Sequence, residues 1–330
     1  MARTPDSAES HSTGPVTGRP TNSTPRGRME PTWGGDATDN AHPTPQANAA
    51  NAANAANAAN AANAANAAED DTTGAGNANG GGPRPVDVFR ALHHGRSPDD
   101  PLVLPGPWDA ASARAFVTAG FPALATPGAG VAASLGYEDG RTPPAEMFAA
   151  VTRIVRAVRP LGVPVSADID DGYGLPAAEL VERLLGTGAI GCNLDDSGPG
   201  KVLKDPRRHA DWLAEIRASA GDRLFLNARV DTFVRGVPDV GAAIERALLY
   251  EAAGADCVYP IGAPPAALPV MRAGGVKGPV NMVASAAGPA NVLRDGFREL
   301  GELGATRITF GPGLLLRTTT ALTDLGRSLL

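Results

Sequence analysis

Residues 86–330 predict an α/β fold of parallel strands joined by helical crossovers, and the number of units points to a closed (β/α)8 barrel. Three observations carry that prediction. Eight short apolar runs recur along the chain, punctuated by glycine and proline. The segments between them hold apolar residues at helical spacing. The stretch also has about the length that eight such units need. A doubly wound open sheet is the alternative, because periodicity does not register closure.

The strand candidates, in order, are PLVLPG (101–106), FPALATPG (121–128), VPVSADID (163–170), IGCNLDD (190–196), LFLNARVDT (224–232), CVYPIG (257–262), PVNMVA (279–284) and RITFGPG (307–313). Among the helices, EMFAAVTRIVRAV (146–158) sets Phe148, Val151, Ile154, Val155 and Val158 on one side. AAIERALLYEAAG (242–254) sets Ile244, Leu248 and Leu249 on one side and stops at Gly254. Asp109 and Asp205 each stand just before a helix and read as its N-cap. FGPG (310–313) reads as a turn.

Residues 1–85 have a different texture, rich in Pro, Thr, Ser, Gly and Asn and poor in large aliphatic side chains. Residues 47–68 repeat Ala and Asn with Asn at every third position. That period winds the asparagines around a helix instead of marking one face, and Ala and Asn offer little area to bury. The segment is expected to be a disordered, low-complexity extension.

The bulk numbers narrow the function. A net charge of −6 without any Lys/Arg run argues against nucleic acid as a partner. No apolar run approaches the ~18–20 residues that cross a bilayer. The N-terminal MARTPDSAESHSTGP lacks the apolar core of a secretory signal. A cytoplasmic location is expected, with Cys192 and Cys257 as buried free thiols.

In a barrel of this kind the working face lies at the C-terminal strand ends. Asp168 is too far from the next helix to cap it, since Gly-Tyr-Gly-Leu-Pro intervenes. Asp168 and Asp170 are two apart and point to one side of an extended strand. Asp195 ends the neighbouring strand. Three carboxylates repel one another unless a cation sits among them, and a hard divalent ion such as Mg²⁺ suits oxygen donors. Arg229, one strand further on, offers a planar fork for a carboxylate. The alternative is an Asp–Arg network that only ties strand ends together.

Five stretches in order, FPALATPGAGVAASLGYEDG, VPVSADIDDGYG, GCNLDDS, FLNARVDTF and AGADCVYP, resemble the isocitrate lyase/phosphoenolpyruvate mutase superfamily. The resemblance covers residues 98 to 320. It implies a TIM-type (β/α)8 barrel, Mg²⁺ (or Mn²⁺), and an enolate of a small 2-oxo or enolpyruvyl acid. It also implies a homo-oligomer, a dimer or tetramer that exchanges its last helix between subunits. By the same resemblance Asp168, Asp170 and Asp195 form the metal site, and Arg229 binds substrate. Asp139 is an acidic residue near the substrate. Thr126 to Gly128 form the loop whose N–H groups hold the pyruvyl carboxylate, and Trp108 walls the pocket or plugs the core.

Departures narrow the subclass. Where isocitrate-type lyases carry a Cys and a His after the fourth strand, this chain reads Lys201-Val202-Leu203-Lys204-Asp205; Lys201 survives. Pro127 has no N–H to donate. Ile261 follows Pro260, where the lyases carry Glu. His209 reads as a surface residue, so no histidine serves as general base. Proton donors are then water on the metal, Asp139, Tyr137 or Lys201. The leading expectation is a lyase or decarboxylase cleaving a C–C (or C–P) bond in an oxaloacetate-like acid. The rival is a catalytically degenerate barrel serving as a binding or scaffold protein. Little chain remains after the eighth strand, which leaves little for extra C-terminal helices.

Overall fold

The computed structural model describes residues 82–330; the extension expected over 1–85, with its 47–68 repeat, lies outside the described residues except at 82–85. Eight strands and ten α-helices follow one another among the described residues. The chain begins with α1 (Pro85–Ala91), β1 (Leu102–Val103), α2 (Ala110–Thr118), β2 (Leu124–Ala125), α3 (Gly128–Leu135) and α4 (Pro144–Val158). Next come β3 (Val165–Asp168), α5 (Ala177–Gly186), β4 (Gly191–Leu194), α6 (Pro206–Ala220), β5 (Phe225–Val230) and α7 (Val240–Ala252). The last are β6 (Cys257–Pro260), α8 (Ala267–Ala273), β7 (Asn281–Val283), α9 (Ala290–Glu302), β8 (Arg307–Thr309) and α10 (Gly313–Ser328).

All paired strands are parallel and form two sheets, one in the order β2-β3-β4-β5-β6 and one in the order β1-β8-β7. The first order runs without reversal. A doubly wound sheet reverses its order at a switch point and places helices on both faces, so that alternative does not describe this chain. Two contacts link the sheets. Val258 N–H of β6 donates to Pro279 O at 3.0 Å, and Ala125 N–H of β2 donates to Pro105 O at 3.2 Å. β1 is short because Pro101 and Pro105 flank it and cannot donate to a ladder.

The core lies between the helices and one face of the strands. Cys192, Leu194, Leu226, Ala228, Val230 and Val258 pack there against Val151, Ile154, Leu180, Leu184 and Leu213. The alternate strand residues face the other way and are unusually polar. Asn227 Nδ2 donates to Asn193 Oδ1 at 2.7 Å, and Asn281 and Thr309 exchange contacts at 3.2 Å.

Local chemistry explains several boundaries. Asp109 caps α2 in a reciprocal capping box with Ser112, and Asp205 accepts from the N–H groups of Arg207 and Arg208 at the start of α6. The expected face of α4 is buried throughout. The expected face of α7 is not: Leu248 is exposed, and Ala243, Arg246, Ala247 and Tyr250 are the buried set. A polar interaction turned this helix, because Arg246 and Tyr250 reach the buried Asp196. Both cysteines are buried and free. No helix among the described residues is long and apolar enough to cross a membrane.

Candidate active site

The C-terminal ends of β2, β3, β4 and β5 gather the polar residues singled out in the sequence. Asp168 is the last residue of β3. Its backbone N–H donates to Thr126 Oγ1 at 3.0 Å, and its Oδ2 accepts from Gly128 N–H at 3.1 Å. Asp170 follows, but not as a continued strand: its φ is 51°, in the left-handed region. Asp170 therefore does not follow strand alternation. The two carboxylates converge because the chain turns there, in a loop where Gly172, Tyr173 and Gly174 are left-handed as well. Both acids close on the Cα of Gly128. A Cβ placed there would lie 3.2 Å from Asp168 Cγ and 3.4 Å from Asp170 Oδ1. Only glycine leaves that space open.

Asp195 joins through its backbone, its N–H donating to Asp170 O at 2.8 Å. Its carboxylate turns instead to Arg229, whose Nη1 lies 2.9 Å from Oδ1. Arg229 Nε donates to Asp231 Oδ1, also at 2.9 Å. Asp231 is fully buried and also meets Ser197 Oγ and Arg235. Asp231 N–H donates to Asp196 Oδ1, whose other oxygen accepts from Arg246 and Tyr250, each at 2.8 Å. One arginine-braced network thus fixes the ends of β4 and β5.

Burial raises the pKa of Asp168, with Arg229 acting against it. Burial, then the charges of Asp168 and Asp139, push Asp170 up to about 7. Burial holds Asp195 well above the usual carboxylate range. Burial alone would lower Arg229, but Asp195 and Asp231 outweigh it and raise its pKa.

The expected three-carboxylate nest is only partly assembled. Asp168 and Asp170 come together, while Asp195 is committed to Arg229. Among the described residues no three His, Cys, Asp or Glu side chains gather tightly enough to hold an ion by themselves. A pair of partly buried carboxylates with raised pKa values still fits Mg²⁺, which takes one or two carboxylates and keeps several waters.

The remaining candidates are spread around this centre. Thr126 N–H is spent on Ser166 O at 2.9 Å, and Gly128 N–H on Asp168, so neither N–H of that loop points free. Trp108 is half-buried, packs edge-on to Phe116 at 6.3 Å, and its carbonyl accepts from Ser134 Oγ at 3.1 Å. Asp139 is exposed, and Tyr137 hydroxyl donates to Glu146 at 2.6 Å. Lys201 is exposed and left-handed, with φ 61°. Lys204, which the sequence did not single out, bridges the site instead: its Nζ reaches Asp195 O at 3.2 Å and Asp171 Oδ2 at 3.6 Å, over the Trp212 ring. His209 is not on the surface. It is 2% exposed, pressed between Trp212 and Tyr250, and burial pushes it down to about 3. Helix α6 is two-sided, and His209 falls on the side of Leu213 and Ile216.

This is a parallel α/β protein with acidic and arginine side chains clustered at the strand ends. The chain belongs to the phosphoenolpyruvate phosphomutase family, whose model matches residues 89–330. An uncharacterized protein of Mycobacterium tuberculosis is 34% identical over 225 residues, covering 68% of this chain and 81% of that one. A 2-methylisocitrate lyase of Aeropyrum pernix is 34% identical over 190 residues, covering 54% of this chain and 58% of the lyase. A solved candidate phosphonomutase from Burkholderia cenocepacia matches with TM-score 0.65 and 36% identity, covering 74% of this chain and 98% of that one.

Proposed function

We propose that this chain is a divalent-metal-dependent lyase or decarboxylase that cleaves a C–C (or C–P) bond in a small 2-oxo or enolpyruvyl acid. The observation that carries this reading is the pair Asp168 and Asp170, closed on Gly128 and flanked by the Arg229 clamp. The two sheets, linked on both sides, are read as one (β/α)8 barrel with this site at its rim.

Asp168 and Asp170 would hold Mg²⁺ or Mn²⁺, with Asp195 reaching it through water. When bound, the ion supplies Lewis-acid stabilisation of charge developing on the substrate oxygen. Arg229 spends Nη1 and Nε on its carboxylates, so Nη2 is the nitrogen left for a substrate carboxylate. Because Asp195 and Asp231 fix the guanidinium, that nitrogen holds the substrate carboxylate at a set position relative to the carboxylate pair. Gly128 contributes its N–H to charge stabilisation once Asp168 turns from it. Asp139, whose charge acts on Asp168 and Asp170, and Lys201, exposed after β4, are the proton carriers assigned to this chemistry, and Trp108 borders the substrate space.

Relatives include a 2-methylisocitrate lyase, which supports carbon–carbon bond cleavage in a small acid. The absence of Cys and His at Lys201–Asp205 points away from that substrate and toward an oxaloacetate-like acid. The same absence is the observation that favours the second reading, a degenerate barrel that binds without turnover. Calorimetry with Mg²⁺ and oxalate, a mimic of the pyruvate enolate, separates them. Mg²⁺-dependent oxalate binding, with pyruvate release from one member of a 2-oxo acid panel, is expected. Asp168→Ala should abolish both. Full turnover in that variant would sink the enzymatic assignment. We place the protein among cytoplasmic homo-oligomers, with a second copy covering α10.

A further inference from the structure

The most anomalous side chain lies away from that site, at the N-terminal end of β8. Arg307 is 0% exposed, and its Nε, Nη1 and Nη2 have no hydrogen-bond partner among the described residues. It stands in register between Leu102 of β1 and Asn281 of β7. Helix α1 covers it from below, with the Phe89 ring 6.0 Å from its Cζ. His93, just past α1, stacks on Phe225 at 4.3 Å and lies edge-on to Phe89 at 4.8 Å.

An arginine cannot shed its charge by deprotonation inside a protein. An unpaired buried ion costs several kcal/mol even after relaxation. None of the neighbours supplies the missing negative charge. Burial pushes the Cys257 thiol and the Tyr259 phenol each up to about 12, so both stay neutral. Burial and Arg307 itself push His93 down to about 3, so it is neutral too. Its Nδ1 lies 2.8 Å from Phe89 O and therefore carries the proton, while Nε2 is buried without a partner. Asp168 acts on Arg307 only through space. Ordered water would occupy the donors but leave the net charge uncompensated among Phe89, Leu102, Leu104 and Phe225, all fully buried or nearly so.

We infer that Arg307 holds an enclosed small inorganic anion of the halide class, which locks α1 and the β1–β8 pair together beneath the barrel interior. The surrounding Phe89, Leu102, Leu104 and Phe225 are buried and apolar and open no path to water, which favours a monatomic ion over a carboxylic acid. The inference is independent of the reaction proposed above.

The test uses the full-length protein, dialysed into gluconate and titrated with chloride or bromide at constant ionic strength. Thermal unfolding should shift upward saturably, by roughly 5 °C at a hundredfold excess over half-saturation. Crystals grown in bromide should show an anomalous peak within hydrogen-bond distance of Arg307. Arg307→Met should lose the halide response; if that variant does not fold, the bromide peak in the unsubstituted protein decides. An unfolding temperature indifferent to halide, or bromide crystals with only water beside Arg307, overturns the proposal.

Discussion

Folded Asp170 keeps its proton up to about 7, whereas an ordinary aspartate releases it near 3.8. Between those values the folded state binds more protons than the unfolded one. Without metal, stability therefore falls as pH rises through that window and levels off above it. A divalent ion competes with the same proton, so the gain in unfolding temperature on adding Mg²⁺ should be small at pH 5 and large at pH 8. Asp170→Asn should flatten both dependences, and an equal Mg²⁺ gain at the two pH values would count against the metal site. Arg229 makes a separate prediction. Arg229→Met leaves Asp195 and Asp231 buried without their shared partner and should cost about 3–5 kcal/mol in denaturant unfolding. Arg229→Lys keeps the charge but not the two-pronged geometry, and should lose turnover more than stability. At this scale the sequence was a partial guide. Asp168, Asp170 and Arg229 stood out because acids and a base at strand ends are chemically conspicuous. Lys204 and Asp196 did not, because what distinguishes them is the backbone carbonyl or helix they reach across space.

Elements were more legible than their orientations. Helix α4 carries five apolar residues on one stripe and buries all five. Helix α7 carries an equally plausible stripe but leaves Leu248 in solvent and Ile244 and Leu249 only partly buried, because burying Arg246 and Tyr250 completes the hydrogen bonding of Asp196. Hydrophobic periodicity cannot anticipate a helix whose facing is decided by one buried carboxylate. The turn after β3 was hidden for a similar reason: alternation predicts a shared side for Asp168 and Asp170, and a left-handed residue delivered the same convergence by another route. Strand spacing sets a sharper limit. Gly191 of β4 pairs with Phe225 of β5, and a Cβ at Gly191 would fall 2.6 Å from Phe225 O. Backbone cannot yield as a flexible side chain does. Gly191→Ala should therefore push β4 from β5 and cost about 1–3 kcal/mol, read from the urea midpoint. An unchanged midpoint would mean that the strand pair is looser than the register implies.

At the scale of the whole molecule, the far end of α10 is left uncovered among the described residues. The helix is regular, 16 residues long, and has no buried residue. Leu322 and Leu325 fall on one stripe at i and i+3, with Leu329 following at i+7 just past the helix end, and exposures of 61%, 57% and 79%. Helices gain most of their stability from packing an apolar face, so a stripe left in water calls for a partner surface. A second copy is the partner proposed for it, which makes the oligomer's strength depend on these leucines. Fully burying a leucine contributes about 1.5–3 kcal/mol, so Leu322→Glu with Leu325→Glu should weaken association by roughly two to four decades. Light scattering on the full chain should then show a dimer or tetramer that falls to the monomer mass in the double variant. Leu248→Glu, on the exposed side of α7, serves as the control and should leave the mass unchanged. A monomeric parent protein, or a double variant of undiminished mass, would mean that α10 is covered by something other than its own kind.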